Sequence, residues 1–558
     1  VNTKRYLFLI ILLAGSIAFA NPLARIYRND DPMLEKLLDL SIEAGILPIT
    51  SSGPVTGHDV MRHIEQLRVA VDSPATRSRV EQLERQLTQR YIDIPVEAVM
   101  SINPEVYINT DTSAREQDWI IRYNQRNPFI SIEVDTILSD HIYGVFSYDM
   151  KRRLNPDEFQ GFNYNFPYQD GFAETQMESS MPRTAFMGLS GTRSSIIFGR
   201  DTLGWGRGNT GNLTVGDHVP YHDFLHASAS NRLLRYTFLA IPMNELDETG
   251  NAVYPNRDST PWRSLFHGSL ARIYIAHRLE ADLTSKIRLS LTEGTMFYTD
   301  RTDLRMFNPL MFLHNYLNFG EVNNSMTLEL DASLTPGWAM NIQFLLDQFQ
   351  TKGELNAYDD LPPNAFAALV GFNHVRSVNK GRIKAYIEGV YTSPYVYLRA
   401  GDSTHNYGEG DPEKQYNLDL VHAVTMRLGR GGTAFLGYPN GPDAIIGATG
   451  FSFDSENGFG VSGEIQFSIK GERGLQTEND DPTKNVQKVI LGKSELYRLS
   501  PTGIPTYTLV FSPAAYLYLP KTHIKVWART DLVNRWHANQ YSTDTQLLIG
   551  AEYSLRIF

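Results

Sequence analysis

The sequence predicts an all-β transmembrane β-barrel of about 18 antiparallel strands, with about 16 as the other even number the length accommodates, behind a small N-terminal α-helical segment. Three observations predict it. Residues 1–20 have the pattern of an export signal, residues 31–89 repeat with a helical period, and from about residue 95 onward apolar and polar residues alternate with period two. The average composition hides this. Of 558 residues 42% are hydrophobic, none is cysteine, and 62 acidic side chains stand against 51 basic ones. The absence of cysteine removes disulfides, thiolate metal sites, cysteine nucleophiles and a lipidated-cysteine anchor. The acidic excess argues against a nucleic-acid partner, which wants a basic face.

Taken in order, VNTKRYLFLIILLAGSIAFA carries Lys4 and Arg5, an apolar run from Tyr6 to about Ala14, and an A-x-A ending at Ala20. The expectation is a signal peptide at 1–20 cleaved after Ala20, a helical periplasmic segment at 21–92 and an outer-membrane barrel at 93–558. In the second segment Asp31 is placed to cap a helix with Pro32 in its first turn. Leu34, Leu37, Leu38 and Ile42 form its stripe, and Gly45 suits a left-handed C-cap. Thr56 and Asp59 make a capping box for a second helix carrying Val60, Ile64 and Leu67; Pro74 opens a third with Val80, Leu83 and Leu87. Helices this short need a partner surface.

Beyond residue 95 the strands have one apolar and one polar face. Met326, Leu328, Leu330, Ala332 and Leu334 alternate with Thr327, Glu329, Asp331 and Ser333, and Val461 to Lys470 repeats the pattern. A soluble sandwich of this length would need several domains and linkers, and none is seen. A closed barrel takes the whole run as one unit, at roughly 26 residues per strand with its share of loop. Stretches 151–180, 244–264, 351–364, 400–414 and 471–490, rich in Asp, Asn, Gly and Pro, read as long loops on one side. The chain closes on TQLLIGAEYSLRIF, with Phe558 one residue out of phase with the apolar set.

Few motifs suggest chemistry. Gly206, Gly208 and Gly211 fit G-x-G-x-x-G but lack a surrounding βαβ unit. His218, His222 and His226 have a helical metal-face spacing that Pro220 interrupts, so they read as loop histidines near a strand start. No G-x-S-x-G or H-E-x-x-H occurs, and the protein is expected not to be an enzyme. No cofactor and no metal site is implied, although Asp402, Glu409, Asp411 and Glu413 could bridge calcium without an EF-hand.

Two resemblances add to this reading. The segment SIEAGILPITSSGPVTGHDVMRHIEQL is similar to half of an S-layer-homology-type unit, which in some outer-membrane families lies on the periplasmic side of a barrel. Larger blocks resemble the capsule assembly protein Wzi family. Residues 196–239 carry its G-R-x-x-x-x-W-G-x-G core at Gly199, Arg200, Trp205, Gly206 and Gly208, then Pro220 and an L-R-Y-T strand from Leu234 to Thr237. Residues 307–350 are similar to its N-P-x-x-F, N-N-S and F-L-L-D-x-F segments, and 391–408 with 435–453 form a looser third block. The resemblance covers roughly residues 30–460. It implies an 18-stranded barrel with a periplasmic helical bundle, acting without catalysis as a lectin that holds or organises surface polysaccharide in capsule or exopolysaccharide assembly. The alternative is a carbohydrate or small-solute porin. Expected partners are surface polysaccharide, outer-membrane lipid and, in biogenesis, the barrel-assembly machinery.

Inward-facing charges of both signs are Arg272, Arg278, Arg288, Glu329, Asp331, Arg382, Lys384 and Glu388, with Glu464, Lys470, Lys525 and Arg529 further on. The expectation is that most form cross-barrel ion pairs. Sugar binding uses aromatic platforms with amide, carboxylate and guanidinium hydrogen bonds. Candidate ligand-binding residues are Trp205, Arg207, Trp262, Tyr395, Tyr397 and Tyr438.

Overall fold

The computed structural model describes residues 21–71, 73–89, 95–154, 156–167, 177–179, 183–243, 271–299, 307–310, 321–349, 351, 353, 364–397, 421–425, 431–474 and 499–557. The expected signal peptide, Trp262, Phe558 and the carboxylates of 402–413 lie outside them.

The chain is a closed antiparallel barrel with 18 strand positions. The first half comprises β1 (Val96–Ile102, continued by Glu105–Asn109), β2 (Ile130–Ser139), β3 (Ile142–Arg152), β4 (Ala185–Ser190), β5 (Ser194–Asp201), β6 (His222–Ser230), β7 (Leu234–Met243), β8 (Ala271–Asp282) and β9 (Ile287–Thr299). The second comprises β10 (Glu321–Thr335), β11 (Trp338–Gln348), β12 (Ala365–Val378), β13 (Gly381–Thr392), β14 (Ala444–Ser455), β15 (Phe459–Lys470), β16 (Thr506–Leu519), β17 (Ile524–His537) and β18 (Gln540–Arg556). Two short pieces prolong positions already counted: Phe162–Tyr164 pairs with β1 and Met177–Ser179 with β3. The ring closes where β18 meets both parts of β1, at Tyr553↔Ile102 and Gln546↔Asn109.

The dyad pattern sets the register. Along β9 and β10, Leu289, Leu291, Met326 and Leu328 point outward and are exposed, whereas Ser290, Thr292, Thr327 and Glu329 between them are buried inside. Exposed aromatics mark both rims, with Trp338, Phe459 and Tyr518 at one end and Tyr507, Trp536 and Tyr541 at the other. This is the girdle arrangement of a barrel standing in lipid. Most connections at one end are tight turns, such as Ser190 to Ser194 and Val378 to Gly381; most long loops lie at the other end. The start of β1 and the end of β18 both lie at the short-turn end, as an even strand number requires.

Three helices precede the barrel: α1 (Pro32–Ala44), α2 (Gly57–Ala70) and α3 (Pro74–Gln89). Asp31 Oδ1 accepts from Met33 N at 2.8 Å, Gly45 closes α1 at φ 72°, and Thr56 and Asp59 form the reciprocal capping box. Leu37, Val60, Ile64, Leu67, Val80, Leu83 and Leu87 are buried together in a core of their own. This unit docks on the short-turn end. Gly337 N donates to Ile42 O at 2.7 Å, Leu47 N to Ser285 O at 3.0 Å, and Arg62 to Thr192 O. A Cβ on Gly45 would stand 3.0 Å from Pro336 N, so the left-handed cap also permits the close approach.

Candidate functional site

The link between α1 and α2, residues 46–55, does not stay outside. It runs into the lumen, where its irregular backbone needs donors that strands cannot supply. Lumen side chains provide them: Arg288 donates to Pro48 O at 3.1 Å, Arg207 to Ile49 O, and His226 Nε2 lies 3.2 Å from Ser52 O. Thr50 donates to Glu280 Oε2 at 2.6 Å, and Arg278 Nη2 donates to Ser51 Oγ at 3.2 Å. Arg278, fully buried, also bonds Glu280 at 3.0 Å and Glu329 Oε2 at 3.0 Å. Buried charges are tolerable only when paired and hydrogen-bonded, and Arg278 meets that condition.

From the long-loop end a second segment enters. Residues 202–221, joining β5 to β6, fold inward as a loop closed by Trp205 N donating to Val215 O at 3.0 Å. The Glu388 carboxylate holds its tip, accepting from Asn209 N at 2.7 Å and Thr210 N at 2.9 Å. Gln343 fastens the returning limb, accepting from Leu213 N and donating to Asn212 Oδ1, both at 2.9 Å. A Cβ on Gly206 would meet Asn212 Oδ1 at 2.3 Å, and one on Gly208 would meet Gly211 O at 1.9 Å. The glycines of G-x-G-x-x-G thus serve close packing here.

The two segments touch inside the barrel. Gly206 N donates to Ser51 O at 3.3 Å, Asn29 Nδ2 to Gly204 O at 2.8 Å, and Arg207 pairs with Asp331 at 3.5 Å. Around them lies an apolar layer containing Trp205, Leu213, Tyr274, Leu345, Leu369, Tyr397 and Tyr438.

The candidate ligand residues divide accordingly. Trp205 and Tyr397 are 0% exposed and Tyr438 1%. Tyr397 OH donates to Leu213 O at 2.9 Å, and Tyr438 shares a 2.8 Å hydrogen bond with Thr210. As placed, these rings anchor the inward loop, and a glycan reaching their faces would have to displace it. Arg207 spans the two plugging segments. Tyr395 is half-buried under the Arg473 guanidinium, 4.4 Å from its ring centre.

The lumen charges are mostly paired, though many bind the inserted segments and not the opposite wall. Arg288 meets Asp282 at 2.6 Å. Arg382 and Lys384 reach down to α1, meeting Asp39 at 2.8 and 2.9 Å, and Lys384 also meets Glu35 at 2.5 Å. Further on, Glu464 accepts from Tyr386 at 2.5 Å, Lys470 donates to Arg473 O at 2.9 Å, Lys525 is 3.9 Å from Glu552, and Arg529 bonds Asp531 at 2.8 Å. The side chain of Arg272 lies outside the described residues.

The histidines need a correction. His222 and His226 are not loop residues but inward positions of β6, both fully buried. At about 3.3 Å per residue, four positions of extended strand separate them by about 13 Å, too far to share an ion. Among the described residues no group of His, Asp and Glu could hold a metal.

Sequence spacing missed several functional contacts. One is the pairing of Asp39 and Glu35 with the β13 cations, where burial pushes the Asp39 carboxyl up despite Lys384 and Arg382. Another is His63 on α2, 2.7 Å from Ser41 Oγ and held neutral, its pKa lowered to about 3 by burial and by Arg288. At the long-loop end Arg126 is caged at 3.9 Å from the Tyr107 ring, 4.8 Å from Trp119 and 5.4 Å from Phe159. Nothing in its local spacing marks it.

No family model matches the sequence, and no curated relative does. Solved structures do. Wzi of Escherichia coli, described as an outer-membrane protein involved in group 1 capsule assembly and a carbohydrate-binding β-barrel, aligns with a TM-score of 0.54 at 13% identity. The alignment covers 94% of this chain and 98% of that one. OprD and OccK3 of Pseudomonas aeruginosa align at 0.37 and 0.39, each at 8% identity, over 83% of this chain and 96% of theirs. With its closed 18-strand antiparallel barrel and its helices ahead of the first strand, the chain has the fold of the Escherichia coli Wzi barrel.

Proposed function

We propose that this is a non-catalytic outer-membrane protein that binds or organises a long polysaccharide at the cell surface, in capsule or exopolysaccharide assembly or attachment. The observation that carries the reading is the meeting of two plugging segments within the lumen, at Ser51 with Gly206 and at Ile49 with Arg207. A barrel filled from both ends works through its outer surface and loops. The fold shared with a carbohydrate-binding barrel supports the same reading, as does the apolar outer face for a place in the outer membrane. In the usual orientation of such barrels the long loops face outward and the helical segment faces the periplasm. The loops around 151–180 and 400–414 then contact glycan.

Planar-bilayer recording of the purified protein tests this against the porin alternative: a silent barrel is expected, and a steady open conductance refutes it. Deleting the gene is expected to release surface-attached polysaccharide; unchanged attachment, with no retention by purified protein, refutes the glycan role.

A further inference from the structure

At the short-turn end a cleft of about 750 Å³ opens between the helical segment and the inner wall of β1 to β3. That is within the range of small-molecule sites, about 300–1,000 Å³. Three of its cations are engaged: Arg25 is held by Asp31 at 3.0 Å and lies 3.9 Å from Asp135, Arg28 is held by Glu133 at 2.7 Å and Asp30 at 3.1 Å, and Arg556 by Glu97 at 3.4 Å. Lys36 on α1 and Arg85 on α3 also line the cleft, are exposed, and have no ion-pair partner among the described residues.

The surroundings of these two cations narrow the ligand. Gln82 and Gln86 line the same cleft, three positions before Arg85 and one after it, on one face of α3. Their amides can both donate and accept, which suits hydroxyl groups. Pro32 and Met33 add an apolar surface at the start of α1. A bare anion would use the cations and leave the amides idle; a neutral sugar would do the reverse.

We propose that this cleft binds an acidic oligosaccharide, its carboxylates on Lys36 and Arg85 and its hydroxyls on Gln82 and Gln86. The inference concerns the face opposite the long loops and does not depend on the surface reading above.

The test is calorimetric titration of the full chain in detergent with trigalacturonate, maltotriose and inorganic phosphate, using the parent, K36E/R85E and, as a charge control at the same end, K521E. Saturable binding of trigalacturonate is expected, weakened at least about tenfold in K36E/R85E and unchanged in K521E, with maltotriose and phosphate much weaker. Neither Lys36 nor Arg85 has an ion pair or hydrogen bond to lose among the described residues, so unchanged circular dichroism and thermal melting should accompany the effect. Absence of saturable binding, binding indifferent to K36E/R85E, or phosphate binding as tightly as trigalacturonate would each overturn the proposal. A protein that fails to retain surface polysaccharide yet still binds trigalacturonate through these residues would refute the surface reading alone.

Discussion

Replacing Asp39 with alanine should undock α1 from the barrel wall. The Asp39 side chain is 5% exposed and holds Arg382 at 2.8 Å and Lys384 at 2.9 Å, whose side chains are 25% and 23% exposed. An exposed ion pair contributes about 0–1 kcal/mol, and breaking a buried one costs about 3–5 kcal/mol. Two pairs on one buried carboxylate, reduced because both cations keep a quarter of their contact with water and because burial already raises the Asp39 carboxyl, come to about 2 kcal/mol. At 1.4 kcal/mol per tenfold, α1 amides that exchange through undocking should exchange about 30-fold faster in D39A. Amides of β13 to β18 should not change. Hydrogen exchange read by mass spectrometry on peptides covering 32–44 checks this. An α1 rate within about threefold of the parent, or an equal acceleration around the barrel, would refute the assignment of Asp39 as the lock.

Other outcomes follow from the same structure. Glu388→Ala should free the tip of the inward loop by removing the carboxylate that accepts from the Asn209 and Thr210 N–H groups, at about 1–3 kcal/mol in all because water can reach the exposed Asn209; bilayer recordings should then show brief openings absent from the parent. His63 has a folded pKa of about 3, below its unfolded value near 6.5, so its contribution is complete above about pH 6.5 and is lost as the pH falls toward 3, at about 1.4 kcal/mol per unit. Limited proteolysis of the helical segment should accordingly quicken between pH 7 and 5, and His63→Gln should flatten that dependence. Leu328, exposed halfway along β10, faces lipid; Leu328→Arg should cost about 2–4 kcal/mol in urea unfolding from bilayers, whereas Thr327→Ser, on the lumen side, should cost much less.

Caps and alternation were legible because each depends on residues adjacent in sequence. Asp31 before Pro32, Gly45 after the stripe, Thr56 with Asp59, and Leu328 beside Glu329 each specify a local geometry whatever the rest of the chain does. The contents of the lumen were not legible. Alternation says that Arg288 points inward; it does not say that the acceptor is a proline carbonyl 240 residues upstream. The same limit applies to Trp205 and Tyr438, which the sequence offers as candidate sugar-binding aromatics at loops or strand ends. Only the inward course of 202–221, fixed by Glu388 and Gln343 from distant strands, turns them into packing. His222 and His226 were misread for a related reason: Pro220 does end any helix there, but a strand begins two residues later.

The lumen-crossing link also bears on how the molecule assembles. Its partners at Thr237, Glu280, Arg278 and Arg288 lie 185 to 240 residues downstream, and the seam between β1 and β18 joins positions more than 430 residues apart. Contacts of such high sequence separation carry the full loop-closure entropy and form late, whereas hairpins and the helical core are local and form early. The N-terminal helices can therefore fold first, but the link between them finds its donors only once the middle strands stand side by side. Until then, residues 46–55 are a solvated tether, and their seating belongs to the last stage of maturation.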